Sequence, residues 1–433
     1  MKLIVVADGD ILFGDPSAFY TAFGGTGALS STADVQMAVV NSTVYFTDGT
    51  NLKALDCNTG TVTTFAASAG TAPTGCRLMC NWRGRLVLGG QYTAPHLLYF
   101  SRLGTATDFD YSAQDPAAAI AGNDSRAGTI GDIVTALIPA SDDILIVGGD
   151  HTLWRYLGDP GSGGQVQPIS EGIGILGPNA WCQDSAGQIY FVNTQGLYRL
   201  SGNGAIKALS DLRVANYFAA MAKTSQHVSL AWDQGRQGVW IFRQEDDGSD
   251  STHLYYDAKL DSFWPQQTAN TDIRPRCALA YDADDPTDRK LIVGGATDKI
   301  YFLDDDATGD DSTAITSYVY IGPLMPGGEQ GEAIAKRIDL TLGELPGDST
   351  AVACRWQLQS AEDPYKAYAH AVNTVGGAIQ DSGTGGDIGR QTPQCLSQRG
   401  RAHFLKIYDS VTEGQTWIYD NASLEFAPGG ASR

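Results

Sequence analysis

One phrase recurs six times between residues 40 and 305 of this chain: a short β-branched or aromatic run, a Gly or Asp turn, then a second short aromatic run. The pairs are Thr43–Phe46 with Leu52–Leu55, Arg85–Gly90 with Leu97–Phe100, and Ile144–Gly149 with Thr152–Tyr156. They continue as Ile189–Val192 with Gly196–Leu200, Val239–Phe242 with Leu254–Asp257, and Leu291–Gly295 with Lys299–Asp304. The anchors Val44, Leu86, Ile144, Ile189, Val239 and Leu291 stand about 42 to 58 residues apart. That period suits four short strands and their turns, one blade of a β-propeller. The predicted fold class is therefore all-β, a six-bladed β-propeller over 35–312 followed by a C-terminal β-sandwich-like domain over 313–433. Residues 1–34 are read as an N-terminal segment, whose Leu3–Val6 is the strand expected to close the ring, because an open ring leaves two unpaired edges.

Between the third and fourth repeats, Gly158 to Pro178 is rich in Gly and Pro and too poor in periodic apolar residues to predict an element of its own. One helix is predicted over Asp211–Ala222, with Ser210 as its N-cap. Past Thr313 the period disappears. Strands are expected at Ile315–Tyr320, Lys336–Leu342, Val352–Leu358, Ala402–Tyr408, Gln415–Tyr419 and Ser423–Phe426, with a Gly/Ser/Asp loop between Tyr368 and Gln391 and almost no helix.

The charge narrows the function classes. Lys+Arg is 29 against Asp+Glu 49, a formal net charge of −20, which repels nucleic-acid phosphates and anionic membranes. The opening Met-Lys-Leu-Ile-Val-Val-Ala-Asp-Gly-Asp is broken too early by Asp8 and Asp10 to read as a signal peptide, and no apolar run reaches the roughly 18 residues of a membrane span. A soluble protein folded in a cytoplasm is expected. The seven cysteines (57, 76, 80, 182, 277, 354, 395) are scattered, and the close pair Cys76/Cys80 has no His nearby, so all are read as reduced, mostly buried thiols.

No motif points to chemistry. Gly89-Gly90, Gly148-Gly149 and Gly294-Gly295 resemble kelch glycines, yet glycine pairs also end strands wherever neighbouring blades crowd together. The six His residues lack copper-ligand spacing. Asp184–Tyr190 has the wrong Asp–Gly spacing for a sialidase box, and Asp282–Asp285 and Asp304–Asp311 do not match an EF-hand. Gly161–Gly164 lacks the Lys-Ser/Thr of a phosphate-binding loop. No catalytic residue, cofactor or metal ion is expected.

Two stretches go beyond a generic propeller. Arg77–Gly90 leads into Leu98–Arg102 and Thr107–Asp110; then come Leu153–Pro160, Ile169-Ser170, Gly174, Gly177-Pro178, Gly187–Phe191 and Gly196–Leu200. This order resembles the tail proteins of short-tailed bacteriophages, and Arg399–His403, Trp417 and Gly429-Gly430 are similar to the ends of such chains. The family that this resemblance implies is that of tail nozzles, or tubular tail proteins. The resemblance covers about residues 75–210 well and the C-terminal domain weakly, and the N-terminal segment is shorter than in such nozzles.

The resemblance implies a structural virion protein, not an enzyme, assembled in the bacterial host cytoplasm and located in the virion tail. It implies a homo-oligomer, a hexameric ring below portal and adaptor proteins, through which double-stranded DNA passes without specific binding and onto which tail fibre, spike or needle proteins dock. Trp356, Arg399, Arg401, Phe404, Lys406 and Trp417, an Arg/aromatic blend typical of interface cores, are the candidates for subunit and adaptor contact. Asp246, Asp247, Asp250, Asp304, Asp305, Asp306, Asp310 and Asp311 are the candidates for an acidic channel lining that DNA does not stick to. The alternative is a carbohydrate-binding or glycan-processing propeller, which calls for Trp, Tyr and paired carboxylates clustered at one mouth.

Overall fold

The computed structural model describes residues 3–15, 18–122, 128–202, 204–210, 213–247, 249, 252–270, 272–295, 299–304, 307, 309–311, 313–315, 317–329, 331–343, 355–372, 381–384, 389–391, 398–408 and 418–431. The chain divides into two units, Met1–Gln267 with Asp272–Leu303, and Thr268–Thr271 with Asp304–Arg433.

The first unit is a ring of seven antiparallel sheets. Blade 1 is three-stranded (Leu3–Ala7, Asp10–Asp15, Ala18–Thr21). Blade 2 runs Gln36–Val40, Thr43–Thr47, Leu52–Asp56, Thr61–Thr64, and blade 3 runs Cys76–Trp82, Arg85–Gln91, Leu98–Phe100, Ile120–Ala121. Blade 4 is Val134–Ser141, Ile144–Gly149, Leu153–Leu157, Gln165–Ser170; blade 5 is Trp181–Gln183, Ile189–Asn193, Gly196–Leu200, Ile206–Ala208. Blade 6 is Gln226–Asp233, Gly238–Glu245, His253–Asp257, Ser262–Gln266, and blade 7 keeps three strands among the described residues, Cys277–Ala280, Leu291–Gly294 and Ile300–Leu303. The six repeats of the sequence are blades 2 to 7.

The near-continuous apolar runs are explained by burial on both faces of each blade. Successive side chains of a strand point to opposite faces, so Leu86 and Leu88 enter the core shared with blade 2 while Val87 enters the core shared with blade 4. In the same way Val239 and Ile241 face blade 5, and Trp240 and Phe242 face Leu291 and Val293 of blade 7. Each fully buried side chain of this kind contributes roughly 1.5–3 kcal/mol.

Closure of the ring departs from the sequence reading. Leu3–Ala7 does not complete the last blade; it pairs with Asp10–Asp15, which pairs with Ala18–Thr21. The N-terminal segment is thus a blade itself, wedged by apolar packing on both sides. Leu3 packs with Tyr281, Ala283 and Ile292 of blade 7, and Ile11 with Val44, Phe46 and Leu55 of blade 2. Residues 1–34 therefore belong to the propeller, and the boundary falls at Leu303 rather than at 312.

Two local readings also change. Within Gly158–Pro178 the structure builds a 3-10 turn, Pro160–Ser162, capped by the Asp159 carboxylate, and the fourth strand of blade 4, Gln165–Ser170. An edge strand draws its bonds from one neighbour, here Leu153–Leu157, and tolerates Pro168 without an apolar repeat. The predicted helix over Asp211–Ala222 shortens to α1 (Ala215–Ala219). The Ser210 hydroxyl is engaged elsewhere, accepting from the Leu197 amide at 2.9 Å, and Val214 before the helix sits at φ 47°. Asp211 and Leu212 lie outside the described residues.

In the second unit two sheets pack face to face. One has the order Tyr318–Leu324, Ala402–Tyr408, Arg355–Ala361, Asp381–Thr384. The other centres on Gly331–Gly343, flanked by Ile418–Ala431 on one side and by Gly389–Gln391 and Gln398–Gly400 on the other. Ile338, Leu340, Trp356, Leu358, Leu405 and Ile407 fill the space between them, as a sandwich requires. The outer face of the first sheet carries a helix the sequence reading did not expect, α2 (Pro364–Val372), whose Ala367 and Ala371 pack on Ala402 and Phe404. Small residues on one helix face allow this close approach. The expected strands at 415–419 and 423–426 are one, Ile418–Ala431, with residues 415–417 outside the described set.

Candidate functional site

An antiparallel meander puts the starts of all first strands and the second-to-third turns on one mouth of the ring. The first-to-second and third-to-fourth turns lie on the other. At the first mouth the chain meets itself across the ring. Gln36 donates from Nε2 to Oδ1 of Asn179, in the lead into blade 5, at 3.1 Å. His227, on the first strand of blade 6, lies between Asp34 and Asp246, with Nδ1 and Nε2 each 3.1 Å from a carboxylate oxygen. Lys223 pairs with Asp150. Blades 5 and 6 are the farthest from blade 2 in a ring of seven, so Asp34 and Gln36 reach over the whole mouth.

The electrostatics follow from these contacts. The hydrogen bond from His227 holds Asp34 below its ordinary carboxyl value against the opposing effect of burial. The Asp34 hydrogen bond in turn raises His227 above 6.5, while burial and Arg276 oppose the rise. With both ring nitrogens on carboxylates, His227 is favoured as the imidazolium and has no free nitrogen to act as a base. The mouth is a polar bolt. The glycine pairs end second strands at this mouth, where the interblade leads cross: a Cβ on Gly148 would meet Ile175 Cδ1 at 2.7 Å, and one on Gly295 the Ile273 carbonyl oxygen at 2.1 Å. No aromatic platform faces a pair of free carboxylates there among the described residues, the arrangement a glycan site calls for. Trp264, half exposed, is on the outermost strand of blade 6 instead.

The stretch that resembles tail proteins contains a buried network missed in the sequence. Arg85 has a fully buried side chain, donates to the carbonyls of Ser101 at 2.8 Å and Ala118 at 2.7 Å, and pairs with Asp159 at 3.0 Å. Arg83 reaches Asp143 at 2.7 Å and Asp159 at 3.6 Å, and Trp82 Nε1 donates to the Ser141 carbonyl at 2.9 Å. These bonds tie blade 3 to blade 4. The signal was an arginine at the head of the apolar run Leu86–Leu88.

The predicted acidic residues fall in both units. Asp246 is engaged by His227, and Asp247 closes its own turn by accepting from the Ser249 amide at 2.9 Å. Asp304, Asp310 and Asp311 belong to the second unit, where the Asp310 carboxylate accepts from Ala269 N at 2.6 Å and burial raises its pKa. Asp250, Asp305 and Asp306 lie outside the described residues. Among the contact candidates, Trp356 (4% exposed) and Phe404 (6% exposed) are corrected to core residues: their large apolar surfaces are consumed between the sheets and under α2. Arg399 is exposed and pairs with Glu332, Arg401 is half-buried, and Trp417 lies outside the described residues.

Lys406 is different. Its Nζ lies 5.5, 5.5 and 5.0 Å from the ring centroids of Tyr318, Tyr320 and Tyr408. Burial by these rings lowers its pKa.

One buried pair resembles catalytic machinery by distance alone. Ser360 Oγ is 2.6 Å from His403 Nδ1 and 3.0 Å from Gln398 Oε1. Ser360 is 3% exposed and His403 0%, with the His403 ring over Phe426 at 4.9 Å, so no substrate reaches the hydroxyl. Cys76 and Cys80 are buried, and burial pushes both thiols up to about 12. Cys182 is buried as well, so three of the five described cysteines are buried, in line with the expected mostly buried thiols, while Cys57 and Cys277 are exposed. Cys354 and Cys395 lie outside the described residues.

No family model matches the chain, and no curated protein matches it in sequence. The solved structures it is similar to include the extracellular domain of a one-component system from B. thetaiotaomicron (12% identity, 68% of this chain and 42% of that one, TM-score 0.38). They also include a chain of the mitotic checkpoint complex (13%, 70% and 88%, 0.42) and the dihydro-heme d1 dehydrogenase NirN in complex with DHE (14%, 70% and 60%, 0.41). The chain spans about two fifths of the length of the first. At such scores nothing these proteins bind or do is carried over. The assignment of this chain as a β-propeller joined to a β-sandwich rests on its own sheets and cores.

Proposed function

We propose that this chain is a structural subunit of a bacteriophage tail, a nozzle-type protein that forms a ring for genome passage and for docking of other tail proteins. The observation that carries the reading is the stretch Arg77–Leu200, which resembles tail proteins of short-tailed phages and makes up the consecutive strands of blades 3 to 5. Its charged residues support an architectural role, because Arg83, Arg85 and Asp159 are spent on bonds between blades. The net charge of −20 also supports it, since a ring of such subunits repels the phosphate backbone of passing DNA.

The test is electron microscopy of the purified full chain at high concentration, and of particles containing it. A closed ring with a lumen lined by carboxylates is the expected result. A monomer inside the particle, or a lumen lined by Lys and Arg, overturns the reading.

A further inference from the structure

The outer face of the first sheet in the second unit is only partly covered. Helix α2 lies over Ala402 and Phe404, while farther along the same face Tyr318, Tyr320, Lys406 and Tyr408 stand side by side. The register sets Tyr318 directly opposite Tyr408 and Tyr320 opposite Lys406, so these are cross-strand neighbours held by backbone pairing. Tyr318 remains 47% exposed. The ammonium of Lys406 is bracketed by three rings, and no carboxylate among the described residues pairs with it. An ammonium so placed keeps a net positive field with little water to screen it, which favours an anionic partner. Tyrosine is also among the residues that dominate binding energy at interfaces.

The same chain offers the complementary surface. On the mouth of the propeller opposite the polar bolt, the first-to-second turns present Asp8, Asp142, Asp143, Asp282 and Asp285, all exposed, of which Asp143 is paired with Arg83 and Asp282 with Arg289. We infer that the Lys406–tyrosine face docks on this acidic turn face of a second copy of the chain, head to tail. Such a contact joins two different surfaces, so it closes into a ring when the rotation between copies closes. The inference deepens the ring reading above and rests on it.

The experiment is a charge swap in the full chain, followed by sedimentation across a concentration series at low and high salt. Lys406→Glu, and separately Asp142→Lys with Asp143→Lys, are each expected to weaken association about tenfold or more. An equimolar mixture of the two variant chains is expected to restore association, because alternating copies pair the introduced carboxylate with the introduced ammonium groups and leave the other contact native. Asp143→Lys also breaks its pair with Arg83, so Asp142→Lys alone, in which the Arg83–Asp143 pair stays in place, tests the contact even where Lys406→Glu disturbs the sheet. A wild-type chain that stays monomeric throughout removes the ring reading and this contact together. A wild-type ring indifferent to both reversals, with Lys406 still open to acylation, leaves the ring standing and overturns the self-contact in favour of a different acidic partner.

Discussion

Gln36 and Asn179, 143 residues apart in sequence, are joined by a 3.1 Å hydrogen bond across the mouth of the propeller. The bond links blades 2 and 5, which share no core. It holds the ring at its centre, where the seven apolar seams between neighbours cannot act. Replacing Gln36 by Ala leaves the Asn179 amide without this partner at a half-buried site, and a loss of about 0.5–1.5 kcal/mol is expected in urea unfolding. Amide exchange in the first strands of both blades should rise in the same variant; protection left unchanged there argues that the bond does not hold the mouth.

The His227 bolt predicts a pH signature. His227 has its folded value above 6.5, so its stabilisation is complete below 6.5 and is lost as pH rises through that higher value. Asp34 has its folded value below 3.8, so its stabilisation is present above 3.8 and is lost as pH falls through that lower value. The bolt is therefore strongest between the two. The stability difference between wild type and His227→Gln should be largest between 3.8 and 6.5 and shrink as pH rises through the raised His227 value. Buried His253, pushed down to about 4 by burial, destabilises the fold as pH falls below 6.5, but it is common to both chains and drops out of the comparison. A difference that stays flat from acid to mildly alkaline pH counts against the bolt.

Arg85 predicts the largest single loss in the propeller. Replacing it by Met removes the buried cation from Asp159 and from the carbonyls of Ser101 and Ala118, and a destabilisation of about 3–5 kcal/mol is expected. Arg85→Lys should rescue little of this, because one ammonium cannot reproduce the planar fork. Denaturant titration of the two variants decides; full rescue by lysine shows that charge alone matters.

Closure by a whole blade makes blade 1 essential to the ring. Ile11→Ala, at a fully buried position against Val44, Phe46 and Leu55, should cost about 2–5 kcal/mol. Removal of residues 1–21 exposes the Tyr281–Ile292 face of blade 7 as well, and a loss of cooperative unfolding with dye-binding apolar surface is the expected readout. Unchanged cooperativity in that shortened chain contradicts closure by this blade.

The propeller was legible in the sequence because both faces of every blade are buried, which writes each second strand as a run of apolar residues and repeats it at one period. Arg85 at the head of such a run was visible, but its partners Ser101, Ala118 and Asp159 lie up to 74 residues away, beyond any local pattern. Blade 1 was hidden because its three strands lack the repeated phrase; only the apolar seams made by Leu3 and Ile11 reveal that the segment is a blade and not a single closing strand. Residue type in the second unit pointed to an Arg/aromatic contact surface, yet type alone cannot assign a face. The pleat turned Trp356 inward, and α2 covered Phe404, leaving Lys406 half-buried among its tyrosines with Tyr318 exposed. Period and composition determined the kind of element and the sign of the charge. Which side chains meet, and which remain at the surface, was decided by the packing of sheets brought together from distant parts of the chain.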